Sequence, residues 1–256
     1  MIGKDFAASA RRGGPATFFP GGGMADTPND PGRLMHRSVP EALARSLRHE
    51  IGDFLQKVYA SVAILKDRLP ADRQMERGVL VRLFSRAEAC RRVLDTAHDF
   101  ACPITLECQP VDLAQVAAAA LAAARDRHPD LDWAAEGPGR VLVTADPRRA
   151  RQMADLLLAN SAESSAHRVR FRTAPGPGGP GGLWRVSDDG PGVAPDSAEF
   201  LFRPFFTSRP GHCGLGLALT RKLAELHGGR ARAENLPGGG FQVEIHFPAE
   251  PPPEAP

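Results

Sequence analysis

Apolar residues recur through the first part of the chain at steps of four and three: Leu43, Leu47, Ile51, Phe54, Val58, Val62, Leu65 and Leu69. A repeat of about 3.5 residues predicts a long helix with one apolar seam. Pro70 and Asp72 mark a turn, and a second stripe follows at Leu80, Leu83, Ala87, Cys90, Leu94 and Ala97. Two helices joined by so short a turn form an antiparallel hairpin. One hairpin cannot cover both seams, whereas two paired hairpins make a four-helix bundle, so the pattern predicts a homodimer. Residues 1–36 carry no such period. They are rich in Gly, Pro, Ala and Arg and read as a disordered leader, with Met24 a candidate start.

After residue 101 the period shortens. Ile104–Cys108 reads as a strand, and a helix rich in alanine runs from Leu113 to about Arg127 with Asp112 as its cap. Leu131–Ala135 and Val141–Thr144 read as short strands around the turn Gly137-Pro138-Gly139. A helix follows Asp146-Pro147. Arg168–Thr173 and Leu183–Val186 alternate as a strand pair. Leu217–His227 is helical and is ended by Gly228-Gly229. Arg230–Glu234 and Phe241–Phe247 close the pattern around the turn Pro237–Gly240. The expected fold class is α+β. A helical hairpin over residues 37–101 precedes an α/β sandwich over 102–249, with a proline-rich tail at 250–256.

Composition narrows the reading. The chain has 256 residues, 42% hydrophobic and 24% charged, as in a soluble globular protein. A net charge of +2 without a long basic run argues against nucleic acid as a partner. The longest apolar run, Val116–Ala124, is too short to span a bilayer, and the N-terminus lacks the apolar core of a signal peptide. A cytoplasmic location is expected. Cys90, Cys102, Cys108 and Cys213 contain no C-x-x-C pair and read as reduced thiols.

The candidate chemistry lies between Leu183 and Leu219. A strand breaks into Asp188-Asp189-Gly190-Pro191-Gly192. A carboxylate at a strand end accepts a hydrogen bond from an amino group such as that of adenine, worth about 1.5–3 kcal/mol out of water. Phe202, Phe205 and Phe206 follow. Then Gly214-Leu215-Gly216-Leu217 runs into a helix, a turn of the kind that offers free N–H groups to phosphate. Upstream, Asn160 sits on a helix whose other face is apolar, where its amide oxygen suits Mg²⁺ or a surface. His49 lies about 170° from the first helix's apolar stripe and is therefore expected in solvent.

These motifs in this order resemble the core of sensor histidine kinases within the GHKL ATPase group: His49-Glu50 on a dimerising helix, D-P-x-R-x-x-Q and L-L-x-N ending at Asn160, D-x-G-x-G at Asp188–Gly192, F-x-P-F at Phe202–Phe205, and G-L-G-L at Gly214–Leu217. The resemblance implies ATP and Mg²⁺ as cofactors, with Asn160 holding the metal. It implies a nucleotide site of Asn160, Asp188, Gly190, Gly192, Phe205, Thr207, Gly214, Leu215, Gly216 and Leu217. It implies His49 as phosphoacceptor, Glu50 as its base, and a response regulator in trans whose aspartate receives the phosphoryl group. The segment 194–211 is expected to be a lid that orders on ATP, with Arg209 facing either the γ-phosphate or solvent. The sequence departs from the family at several places. Asp53 and Phe54 stand where Asn or Thr, often followed by Pro, is usual. The Asn or Thr there positions water for dephosphorylating the regulator. Leu156 replaces a second Asn, Arg203 an acidic residue, and His212-Cys213 the common Gly-Thr. Two other readings accommodate these changes: a non-catalytic dimer that docks a regulator, and a GHKL serine kinase that inhibits a sigma factor.

Overall fold

The computed structural model describes residues 31–177, 179–209 and 212–250, with side chains from residue 42 onward. Helices α1 (Pro31–Arg68) and α2 (Gln74–Ala101) form the expected hairpin. Helix α1 begins six residues inside the segment read from sequence as leader; the rest of that leader and residues 251–256 of the tail lie outside the described residues. The connection is tied by Arg77, whose Nη1 donates to the Leu69 carbonyl at 3.2 Å. Between the helices Leu55, Val62, Leu80 and Ala87 are buried, and Tyr59 meets Phe84 with ring centroids 5.2 Å apart. Leu55 lies outside the stripe read from the sequence. Leu43, Leu47, Phe54 and Leu65, which belong to it, stay exposed in the single chain.

The second unit is a mixed sheet with three helices against it. Its strands are β2 (Asp132–Glu136), β4 (Arg168–Pro175), β5 (Gly181–Asp188), β6 (Arg230–Asn235) and β7 (Phe241–Pro248), in the order β2-β4-β5-β7-β6. The β2–β4 pair is parallel and the others antiparallel. Helices α3 (Leu113–Arg127), α4 (Pro147–Ala162) and α5 (Gly216–Leu226) supply the other layer. Trp184 is fully buried at the centre, edge-on to Phe171 at 5.4 Å and to Phe247 at 4.9 Å. Leu121, Met153, Leu157, Leu219 and Leu223 close over it. Asp112 caps α3 as expected, accepting from the Ala114 N–H at 3.0 Å.

One expected strand is absent. Ile104–Cys108 is irregular; pairing begins only in β1 (Gln109–Asp112), which runs antiparallel to β3 (Leu142–Ala145). The reason lies in the partner. Gln109 already faces Ala145, the last residue of β3, and Asp146 then caps α4. No strand remains for the residues before 109. The Glu107 N–H instead donates to the Asp146 carboxylate at 3.0 Å.

The two units meet at the end of α2. Asp99 accepts from Arg149 Nη1 at 2.8 Å and from Gln152 Nε2 at 2.7 Å. Lys222 of α5 donates to the carbonyls of Asp99, Phe100 and Cys102 at 2.8–3.0 Å. A cation on the last carbonyls of a helix also complements its dipole. Burial raises the Asp99 carboxyl, but the hydrogen bonds from Gln152 and Arg149 and the charge of Arg149 outweigh it and hold the group below its ordinary range.

Candidate active site

The strand β5 alternates between core and surface, and its buried row is Gly182, Trp184, Val186 and Asp188. The period that seats the tryptophan therefore carries a carboxylate to the inner side, where it is buried. Such placement is costly for an acid without a partner. Asp188 accepts from Ser164 Oγ at 3.2 Å and from the Gly190 N–H at 3.1 Å. Burial still dominates and pushes its carboxyl up. Its neighbour Asp189 lies just past the strand, exposed, beside the start of β4. There it accepts from the N–H groups of His167 and Arg168 at 2.7 and 2.8 Å, and its carboxyl is lowered to about 2.

Asp188 lines a cavity of about 440 Å³, within the size range of small-molecule sites. Asn160 of α4 lines it too, with Gly192, Thr207 and the turn Gly214–Leu217. Gly190 does not. It supports Asp188 from outside through its N–H. Gly192 is required by geometry: its φ is +70°, and a Cβ there would meet Asn235 Oδ1 at 2.6 Å. That asparagine clamps the loop, accepting from the Val193 N–H at 2.9 Å and donating to the Val193 carbonyl at 2.7 Å.

The phenylalanine and second glycine motifs brace one another. The Phe205 N–H donates to the Gly214 carbonyl at 3.1 Å. Gly214 has φ +65°, and a Cβ on it would lie 2.5 Å from the Phe206 carbonyl oxygen. Phe205 itself has φ 65° and points away, 71% exposed, so Phe206 and not Phe205 lines the cavity. Helix α5 starts at Gly216 with Leu215 as its N-cap residue and no side chain capping it. Its first N–H groups therefore have no side-chain partner at the cavity wall, the arrangement that suits an anion. Leu156 and Cys213, two of the departures noted above, also line the wall.

Asn160 is engaged by Arg209, whose Nη1 donates to its carbonyl at 3.0 Å and lies 3.5 Å from its Oδ1. Among the described residues no group of three or more His, Cys, Asp or Glu is arranged to hold a metal. A hard cation such as Mg²⁺ would find one neutral amide oxygen here, Asn160 Oδ1, and would draw its other ligands from phosphate and water. Several lining residues escaped the sequence reading. Ser164 lies in the turn just after α4, four residues past Asn160, and carries no motif signal. Arg92, Val93 and Thr96 come from α2 and face the cavity only because the two units dock.

His49 is exposed as expected, its side chain 81% accessible. It does not line the nucleotide-sized cavity. Its Nε2 lies 3.7 Å from Asp53 Oδ2, whereas Glu50 Oε1 accepts from Ser46 Oγ at 3.3 Å. Asp53 is thus the carboxylate beside the ring in this conformation.

The family of histidine kinase-, DNA gyrase B-, and HSP90-like ATPases matches residues 145–251. Sensor histidine kinase ZraS of Klebsiella oxytoca is 28% identical over 211 residues, 80% of this chain and 45% of that protein. Sensor histidine kinase CpxA of Escherichia coli (strain K12) is 41% identical over 69 residues, 25% of this chain and 15% of CpxA. Among solved structures, full-length ShkA in complex with AMPPNP has a TM-score of 0.64 at 23% identity and covers 83% of this chain and 47% of its own. The mycobacterial sensor histidine kinase MprB has a TM-score of 0.50 at 28% identity, covering 56% and 99%. The chain spans about 45% of the ZraS proteins it matches. Among the described residues no helix is long and apolar enough to cross a membrane. The helical pair followed by a sandwich matches the fold of the ShkA kinase core, and residues 145–251 are an ATPase domain of the histidine kinase-, DNA gyrase B-, and HSP90-like family.

Proposed function

We propose that the chain is an ATP-dependent histidine autokinase that phosphorylates His49 and passes the phosphoryl group to an aspartate of a response regulator in trans. The observation that carries this reading is the polarity of the cavity: a buried carboxylate at one wall, Asp188, and an uncapped helix N-terminus at another. Adenine's amino group pairs with Asp188, and the phosphates lie on the N–H groups of Gly214–Leu217. Mg²⁺, when bound to Asn160 and the phosphates, neutralises charge on the transferring group.

In the reaction one ring nitrogen of His49 uses its lone pair to form the N–P bond. The bond from the γ-phosphorus to the bridging oxygen breaks, and ADP leaves with that electron pair. The proton on the other nitrogen passes to a carboxylate. Asp53, 3.7 Å from Nε2, is better disposed than Glu50, which is turned to Ser46.

Incubation with γ-labelled ATP and Mg²⁺ tests the reading. Wild type acquires an acid-labile, base-stable label and His49→Gln acquires none. Asp53→Asn slows labelling by about tenfold, more than Glu50→Gln does. Equal labelling of wild type and His49→Gln overturns the assignment.

A further inference from the structure

His49 shares a surface depression with three arginines. Arg45 and Arg48 come from α1, and Arg91 comes from α2, brought alongside by the antiparallel hairpin. Arg45 precedes His49 by four residues, so both lie on one face of the helix. Arg91 is anchored by one edge: its Nε donates to Asp95 Oδ2 at 3.1 Å. A guanidinium has five N–H donors, so its terminal amino groups remain to receive an anion. Asp53 is the one acidic residue lining the same depression, and Glu50 beside it faces Ser46. Among the lining residues three guanidiniums from both helices thus meet one carboxylate, while Asp95 pairs with the Nε edge of Arg91 and Glu50 is turned to Ser46. The depression lies apart from the nucleotide-sized cavity.

We infer that Arg45, Arg48 and Arg91 form a phosphoryl-binding rim for His49. This rests on the reading of His49 as phosphoacceptor. A phosphoryl group in flight spreads negative charge over its oxygens, and planar guanidinium donors stabilise that charge more than a flexible ammonium does. The rim takes those oxygens as the N–P bond forms and keeps the product phosphohistidine neutralised until an aspartate accepts the group. Because the rim is built on the hairpin and not on the ATP domain, it acts on any phosphoryl donor small enough to reach His49.

That independence supplies the test. The full chain is loaded from two donors in parallel, γ-labelled ATP with Mg²⁺ and phosphoramidate, which needs no nucleotide site. His49→Gln sets the background. Arg91→Ala and Arg45→Ala each slow loading from both donors by about tenfold, the double variant slows it further, and ATP affinity is unchanged. Arg91→Lys restores part of the rate, which a loss of fold would not allow. Loading at the wild-type rate from both donors in the double variant overturns the rim. If ATP labels nothing even in wild type while phosphoramidate loads His49 in an arginine-dependent way, the rim stands and the autokinase reading falls.

Discussion

Asp188 and Asp189 sit side by side in the chain, and the end of β5 between them leaves them in opposite environments. Asp188 ends the buried row, where desolvation raises its carboxyl; Asp189, just past the strand, is exposed and accepts two backbone N–H groups at the start of β4. Their substitutions separate accordingly. On the proposed reading, Asp188→Asn removes a charge-assisted bond to adenine and raises the ATP Kd by about ten- to a hundredfold, measured by calorimetry. Asp189→Asn leaves nucleotide affinity intact and lowers stability. The sign follows from a folded-state carboxyl held at about 2 against an ordinary 3.8. The stabilisation is complete above pH 3.8, is lost as pH falls through about 2, and the variant loses its difference from wild type there. Chemical denaturation along a pH series reads this. The doublet was visible in the sequence, but not the division of labour, because the end of β5 falls between the two and only the core fixes which face of the strand is inside.

Helix α4 shows how much chemistry one motif can hide. In D-P-x-R-x-x-Q, Asp146 caps the helix by accepting from the N–H groups of Arg148 and Arg149, and Pro147 opens it. Arg149 and Gln152 then grip Asp99 of the hairpin. The sequence revealed the helix and its cap, because both are local. It did not reveal the grip, which joins residues about fifty positions apart, nor that the short strand β3 leaves Ile104–Cys108 nothing to pair with. The same junction holds His227 at the end of α5. It is fully buried, donates from Nδ1 to the Leu223 carbonyl, and accepts at Nε2 from the Asp146 N–H at 3.0 Å. Burial pushes the imidazole below its ordinary value of 6.5, outweighing the Leu223 carbonyl and Asp146. Above 6.5 the ring is neutral folded or unfolded. As pH falls below that value the unfolded chain binds a proton that the fold resists, so stability declines. His227→Gln keeps a neutral acceptor and flattens this decline below pH 6.5, at some cost in packing. Thermal melts of both proteins across that window measure it.

At the scale of the molecule, the hairpin presents Leu43, Leu47, Phe54 and Leu65 to solvent. We propose that a second copy covers them. Sedimentation then gives about twice the 27.4 kDa chain mass, and Phe54→Glu returns it to a single chain. The docked sandwich poses a further question of reach. Among the described residues none of α1 lines the nucleotide-sized cavity; its hairpin wall is Ala89, Arg92, Val93 and Thr96 of α2. On the proposed function, His49 then meets the γ-phosphate only after the ATP domain shifts or a partner's helix is offered. What holds the docked pose is the grip on Asp99 and the three carbonyls held by Lys222, whose ammonium is itself lowered by burial. A two-state element responds to whatever weakens one state alone. Asp99→Ala removes the acceptor of Arg149 and Gln152 without touching cavity or histidine. It raises the rate of His49 labelling several-fold while ATP affinity stays level, because a smaller share of molecules is held docked. Labelling time courses beside nucleotide titrations read both quantities. A fall in rate with unchanged affinity would mean that the docked pose is the productive one, and that the partner's histidine is brought to it.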